Sequence, residues 1–216
     1  MRFKNREEAG EKLADDLTEY ANRNDVIILA LPRGGVPVAY EVAKKLKVPM
    51  DVFLVRKLGV PGQEELAMGA IASGGVEVLN KDIVQSLGIS RSTIDKVAEK
   101  EHRELERREK SYRGDRPKPE IKNKHVILID DGLATGASMR SAVRAVRSWN
   151  PAEVIVAVPT SAPDTCELFE YEADSIVCLS TPKPFYGVGA WYEDFSQTTD
   201  EEVSNLLEKA ENLIKG

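Results

Sequence analysis

The chain has 216 residues and a formal net charge of −6, which suits one domain with a small appendage and gives no broad attraction to nucleic acid or an anionic membrane. Its two cysteines, Cys166 and Cys178, lack CxxC spacing, and its two histidines, His102 and His125, do not cluster with them. This argues against a zinc site or a disulfide framework and for a reducing compartment. Residues Met1 to Glu8 carry no apolar leader core and no stretch is long enough to span a bilayer, so a cytoplasmic protein without a membrane or nucleic-acid partner is expected.

Short apolar runs alternate with helical periodicity, which implies βα units and an open, mainly parallel sheet flanked by helices. Ala9, Leu13, Ala14, Leu17 and Ala21 form a helical stripe over Arg6 to Ala21. Val26 to Leu31 reads as a buried strand, Val38 to Leu46 as helix and Met50 to Val55 as a second strand. Arg56 to Gly75 is punctuated by glycine, with Leu66 to Ala72 a candidate hairpin arm for Val76 to Leu79. Ile83 to Arg113 is a charged helical region broken at Gly88-Ile89-Ser90, with Ser90 as N-cap of its second piece, and Pro117 and Pro119 end it. Thr93 to Arg113 reads as a solvated or partner-facing helix. Val126 to Ile129 is a strand, Ser138 to Trp149 helix, Val154 to Val158 strand, Asp164 to Phe169 helix and Ile176 to Leu179 strand. Thr181 to Thr198 is loop-like, and Asp200 to Ile214 closes the chain as an amphipathic helix.

The informative stretch runs from Val126 to Ser138. An apolar strand delivers Asp130 and Asp131 to the carboxyl edge of the sheet, where open α/β folds bind ligands. The loop behind them, Gly132 to Ser138, carries two glycines and the Thr135 and Ser138 hydroxyls and opens a helix. Such a turn gathers backbone N–H groups around an anion. One end of the segment is acidic and the other holds phosphate, the layout of a ribose 5-phosphate. A receiver domain needs acids after its first strand, where this chain has Leu31-Pro32-Arg33. A P-loop needs GxxxxGK[ST], which is absent.

The segment resembles the PRPP-binding motif of type I phosphoribosyltransferases: apolar strand, two acids, spacers, then Thr-Gly-x-Ser. The resemblance implies a single domain over residues 1–216 that transfers the 5-phosphoribosyl group from PRPP to a nitrogen acceptor such as a nucleobase, releasing pyrophosphate. Asp130 and Asp131 then face the ribose hydroxyls, directly or through Mg²⁺, and Ala134, Thr135, Gly136, Ala137 and Ser138 surround the 5-phosphate. Arg33, Gly34 and Gly35 correspond to the pyrophosphate loop, where consecutive glycines let amides approach an anion. Arg56 and Lys57 match basic residues near pyrophosphate, at the start of a mobile loop within an insertion over 56–119. Asp130, Asp131, Arg33 and Lys57 form the catalytic set.

The segment 181–198 matches the place of a C-terminal hood, whose Phe185, Tyr186, Val188, Trp191 and Asp194 would hold the acceptor. A homodimer is implied, and the helical insertion would lid the site or mediate dimerisation. Hypoxanthine-guanine enzymes carry an Asp where this chain has Ala134, which counts against a 6-oxopurine acceptor served by that base. Glu64 or Glu65 is the substitute. The rival reading is a non-catalytic PRPP sensor on the same fold.

Overall fold

A computed structural model describes residues 1–215. In chain order the elements are α1 (Arg6–Asp15), β1 (Val26–Ala30), α2 (Gly35–Leu46), β2 (Met50–Val52), β3 (Val55–Val60), β4 (Gln63–Ala72) and β5 (Val76–Leu79). There follow α3 (Lys81–Ser86), α4 (Arg91–Arg113), β6 (His125–Ile129), α5 (Ala137–Arg147), β7 (Glu153–Thr160), α6 (Pro163–Glu172), β8 (Ser175–Ser180) and α7 (Asp200–Lys215).

Five strands form a wholly parallel sheet in the order β2-β1-β6-β7-β8. The strand β1 is buried along its whole length, and β6 is buried over Val126 to Ile129. Each such Val, Ile or Leu contributes about 1.5–3 kcal/mol on burial, which offsets the ~1–2 kcal/mol of ordering its backbone. The chain leaves β1 to one side for β2 and later returns to the other side for β6. That reversal makes a crevice at the carboxyl ends of β1 and β6, the place where open α/β sheets bind ligands.

A second, antiparallel sheet of order β3-β4-β5 carries the insertion. The pairing of Leu66–Ala72 with Val76–Leu79 is as expected, and the stretch before it, Arg56 to Leu66, supplies the hairpin's other arm. It is mostly paired strand, turning at Pro61-Gly62, where Gly62 has φ +80°. The register shifts on both sides of Gly59, which marks a bulge, and a side chain there would meet the Glu64 carbonyl oxygen at 2.7 Å. Leu58, Met68 and Ile71 share one core with Ile94, Ala98 and Leu105 of α4, so this sheet is packed onto that helix. Ser90 caps α4 through Thr93 N, 3.2 Å, as its position before the helical run implies.

Two boundaries differ from the sequence expectation. The first helix stops at Asp15, and Thr18–Tyr20 is a 3₁₀ turn before Asn22 at φ 58°. The second begins at Gly35 rather than Val38, since Pro37 lies in its first turn, where a missing N–H costs nothing. The glycine loop is therefore itself a helix N-terminus, with its positive dipole end at the crevice, although the Gly35 and Val36 amides donate to Leu31 O and Arg33 O, both at 3.1 Å.

Candidate active site

At the crevice the loop after β1 and the acids after β6 pack as one unit. Leu31 N donates to Ile129 O at 2.9 Å, and the Pro32–Arg33 peptide is cis. A β-carbon on Gly34 would lie 2.0 Å from Asp131 Oδ2, and one on Gly35 would lie 2.7 Å from Ile129 O. Only glycine lets the Pro32–Gly35 turn approach the acids this closely.

Asp131 is fixed on three sides. Its N–H donates to Asp130 Oδ1 (2.8 Å), its carbonyl accepts from the Tyr192 hydroxyl (2.6 Å), and its Oδ2 accepts from Arg6 Nε (2.9 Å) and pairs with Arg6 Nη2 (2.8 Å). Burial, and then the neighbouring Asp131 charge, push the Asp130 carboxyl well above the usual carboxylate range. Burial also raises Asp131, with the Arg6 guanidinium opposing it. Burial raises the Tyr192 phenol as well, so it stays protonated and remains a donor.

The second anion subsite is the loop from Gly132 to Ser138. Leu133 is locked between strands by Leu133 N to Thr160 O (3.0 Å) and Ala162 N to Leu133 O (2.9 Å). The Thr165 hydroxyl donates to Ala134 O at 2.6 Å. Gly136 stands at φ +70°, and a β-carbon there would strike the Phe169 ring at 2.7 Å. Its conformation starts α5 at Ala137, whose N–H reaches Thr135 Oγ1 at 3.4 Å, with Ala134, Thr135, Ala137 and Ser138 exposed at the positive end of the helix.

The basic residues divide. Arg33 is half-buried, its Nη1 3.7 Å from Asp200 Oδ1 at the start of α7, while Asp200 accepts from the Tyr112 hydroxyl at 2.6 Å. Arg56 is bound to Glu101 of α4 at 2.6 Å. Lys57 is exposed and pairs at 3.4 Å with Glu65, itself in solvent, so it is the readier of the two to turn toward an anion.

Of the residues expected to hold an acceptor, Val188 abuts the site: a β-carbon on Gly132 would lie 2.6 Å from Val188 Cγ1. Phe185 and Trp191 are half-buried, and Tyr186 and Asp194 point to solvent. The segment is stitched to the start of the chain by Phe3 N to Trp191 O, Glu193 N to Phe3 O and Asp194 N to Lys4 O, all 2.8–2.9 Å. Sequence reasoning missed Arg6, Tyr192, Phe195, Asp200 and Thr165. Arg6 alone had a local signal. A cation at the first position of a helix opposes the dipole and calls for an acid elsewhere.

The phosphoribosyl transferase domain model matches residues 2–188. The chain belongs to the phosphoribosyl transferase family. Two Mycobacterium tuberculosis proteins provisionally named phosphoribosyl transferases are 43% identical over 208 residues, 96% of this chain and 47% of theirs. The chain thus spans about half the length of the curated relatives it matches. A hypoxanthine-guanine phosphoribosyltransferase of Streptococcus pneumoniae is 24% identical over 191 residues, covering 87% of this chain and 81% of its own. The crystal structure of TT1426 from Thermus thermophilus superposes with a TM-score of 0.86 at 42% identity, over 97% of this chain and 99% of that one. The mainly parallel sheet flanked by helices is the type I fold of this phosphoribosyl transferase family. No helix among the described residues is long and apolar enough to cross a membrane.

Proposed function

We propose that the protein transfers the 5-phosphoribosyl group of PRPP to a nitrogen acceptor of nucleobase type and releases pyrophosphate. The observation that carries this reading is the packing of the Gly34-Gly35 turn against Asp130 and Asp131, with the α5 amides behind them. One ligand then meets three kinds of group: donors for a diphosphate, acceptors for sugar hydroxyls and a cradle for a terminal phosphate.

In this reading Ala134 to Ser138 anchor the 5-phosphate through the amides at the start of α5. Asp130 and Asp131 accept from the ribose hydroxyls and lie near the positive charge that grows on the sugar as the C1–O bond loosens. Arg33 and the positive end of α2 hold the departing pyrophosphate, and Lys57 can turn from Glu65 to join them. Val188 and Trp191 of the 181–198 segment border the acceptor side, as a hood would.

Mg²⁺ fits the donor set. Two neighbouring carboxyls, both pushed up by burial and Asp130 also by the Asp131 charge, are relieved by a cation. Among the described residues no three acids, histidines or cysteines form a cage, and Mg²⁺ asks only for one or two carboxylates beside substrate phosphates. Held at Asp130 and Asp131, it would neutralise charge on the pyrophosphate. For the general base, Glu64 is the poorer candidate, because its own and the Gly62 backbone N–H hold its carboxyl below the ordinary range. Glu65 is left.

Ala134, in place of the acid that hypoxanthine-guanine enzymes use, keeps a PRPP sensor as the second reading. The test is pyrophosphate release from PRPP and Mg²⁺ across a panel of nucleobases and small amines, beside the binding constant. Turnover that Asp131→Asn abolishes, with binding retained, supports the transferase, because the lost stabilisation belongs to the transition state. Tight binding by wild type with no turnover across the panel establishes the sensor.

A further inference from the structure

The guanidinium of Arg6 joins two parts of the site, the Asp131 carboxyl and the 192–196 segment. Both of its contacts with Asp131 go to Oδ2, at 2.9 and 2.8 Å, so Oδ1 takes neither. Its Nη1 donates to Ser196 O at 2.7 Å, and its carbon centre lies 4.0 Å above the Phe195 ring. Phe195 in turn stacks on Tyr192 at 5.1 Å, and Tyr192 holds the Asp131 carbonyl. Arg6 is only 9% exposed, so this set of contacts is formed away from competing water. It reaches the acid from α1 and the 192–196 segment from beneath, and a planar donor fork suits both tasks at once.

We propose that Arg6 is a positioning residue that couples the ribose-side acid to the acceptor-side segment. By holding Oδ2, it fixes the Asp131 carboxyl in place and presents Oδ1 to a ribose hydroxyl. By holding Ser196 and Phe195, it makes the place of the 192–196 segment depend on that same geometry. Filling the ribose side therefore steadies the acceptor side, and disturbing the acceptor side weakens the ribose side, since coupling between sites is reciprocal. This rests on the reading of the site as a PRPP site.

The experiment is calorimetric titration of PRPP with Mg²⁺ into wild type, Phe195→Ala, Arg6→Lys, Arg6→Gln and the double variant Phe195→Ala with Arg6→Gln. Phe195 is 38% exposed and reaches Asp131 only through Arg6 and Tyr192, so its loss removes no direct contact of the acid. The expected result is a fall in PRPP affinity of about fivefold or more for Phe195→Ala. No further fall is expected when the same change is made in Arg6→Gln, because neighbouring residues in one network do not add. Arg6→Lys, which keeps the charge without the fork, should lie between wild type and Arg6→Gln. Equal PRPP affinity in wild type and Phe195→Ala overturns the coupling, as does an undiminished Phe195→Ala effect in the Arg6→Gln background. Should the Arg6 variants fail to fold, the Phe195→Ala comparison decides alone. A wild type that binds no PRPP overturns the reading of the site, and the coupling falls with it, which separates that failure from the others.

Discussion

Gly34 and Asp131 are in such close approach that a β-carbon on the glycine would stand 2.0 Å from the acid's Oδ2. The clash has no easy escape. The carboxylate is pinned by Arg6, and Tyr192 and Asp130 hold its backbone. The diphosphate loop and the ribose acids are therefore one steric unit, not two adjacent subsites.

Gly34→Ala is accordingly expected to disturb both ligand halves. Forcing a methyl into a packed contact costs about 1–3 kcal/mol. PRPP and ribose 5-phosphate should both weaken by about tenfold or more, since 1.4 kcal/mol is one decade of affinity. Titration of each ligand into the variant checks this. A loss confined to PRPP would show that Asp131 moves aside without consequence.

Arg33→Ala should separate the halves where the glycines do not. Its pair with Asp200 is long, 3.7 Å, and Asp200 is 65% exposed, so folding stability should change by no more than about 0.5 kcal/mol. Pyrophosphate and PRPP affinity should drop by about tenfold or more, because charge-assisted bonds to phosphate are the strong ones. Ribose 5-phosphate should bind as in wild type. Equal losses for all three ligands would place Arg33 in the fold, not at the diphosphate.

The legible part of the site was local. Asp130 and Asp131 follow an apolar strand, and the amide-rich loop follows them, so a short window holds both chemistries. Gly34 and Gly35 announced themselves as a close-approach turn, although the clash with Asp131 needed three dimensions. What was not legible lies far apart in the chain. Tyr192 and Ser196 meet Asp131 and Arg6 only because the 191–194 backbone pairs with Phe3 and Lys4. The hairpin was legible only in outline, because Gly59, Gly62 and Gly69 do not by themselves reveal which makes a turn, a bulge or a paired position. In the structure Gly62 makes the turn, Gly59 a bulge, and Gly69 leaves room for the β5 backbone, where a β-carbon would lie 2.6 Å from Val78 O. Arg56 was expected beside the diphosphate, and its recorded partner is Glu101 on α4.

Thr165 and Gly136 make a matched pair of tests on the 5-phosphate cradle. Thr165→Val removes the 2.6 Å bond to Ala134 O. Ala134 is exposed, so water can take over the carbonyl, and the stability cost should stay near 1 kcal/mol or less. Gly136→Ala combines a left-handed backbone with a 2.7 Å contact to Phe169 and should cost about 1–3 kcal/mol. Both should weaken ribose 5-phosphate and leave pyrophosphate binding alone, which denaturant melts and titrations together resolve. Loss of pyrophosphate binding in either variant would contradict the assignment of the two anion subsites.

The helix that begins at this cradle is also tied down by Glu172. Its Oε1 accepts from Arg140 Nη2 at 2.7 Å and Nε at 3.1 Å, and from Arg144 at 3.3 Å. Burial alone would raise this carboxyl, but the hydrogen bonds and charges of Arg140 and Arg144 outweigh it, and its pKa is lowered from the ordinary 4.5. A carboxylate depressed in the folded state contributes stability that is fully present above its unfolded value and lost as pH falls through the folded one. Arg140 is 38% exposed, so solvent screening reduces the contribution to about 1 kcal/mol. Glu172→Gln should therefore lower the unfolding free energy by about that much at neutral pH. The gap to wild type should hold down to pH 4.5 and close progressively below it. Urea melts of both proteins across that range make the measurement. A gap that persists unchanged in acid would mean that Glu172 acts by packing, with its charge contributing nothing.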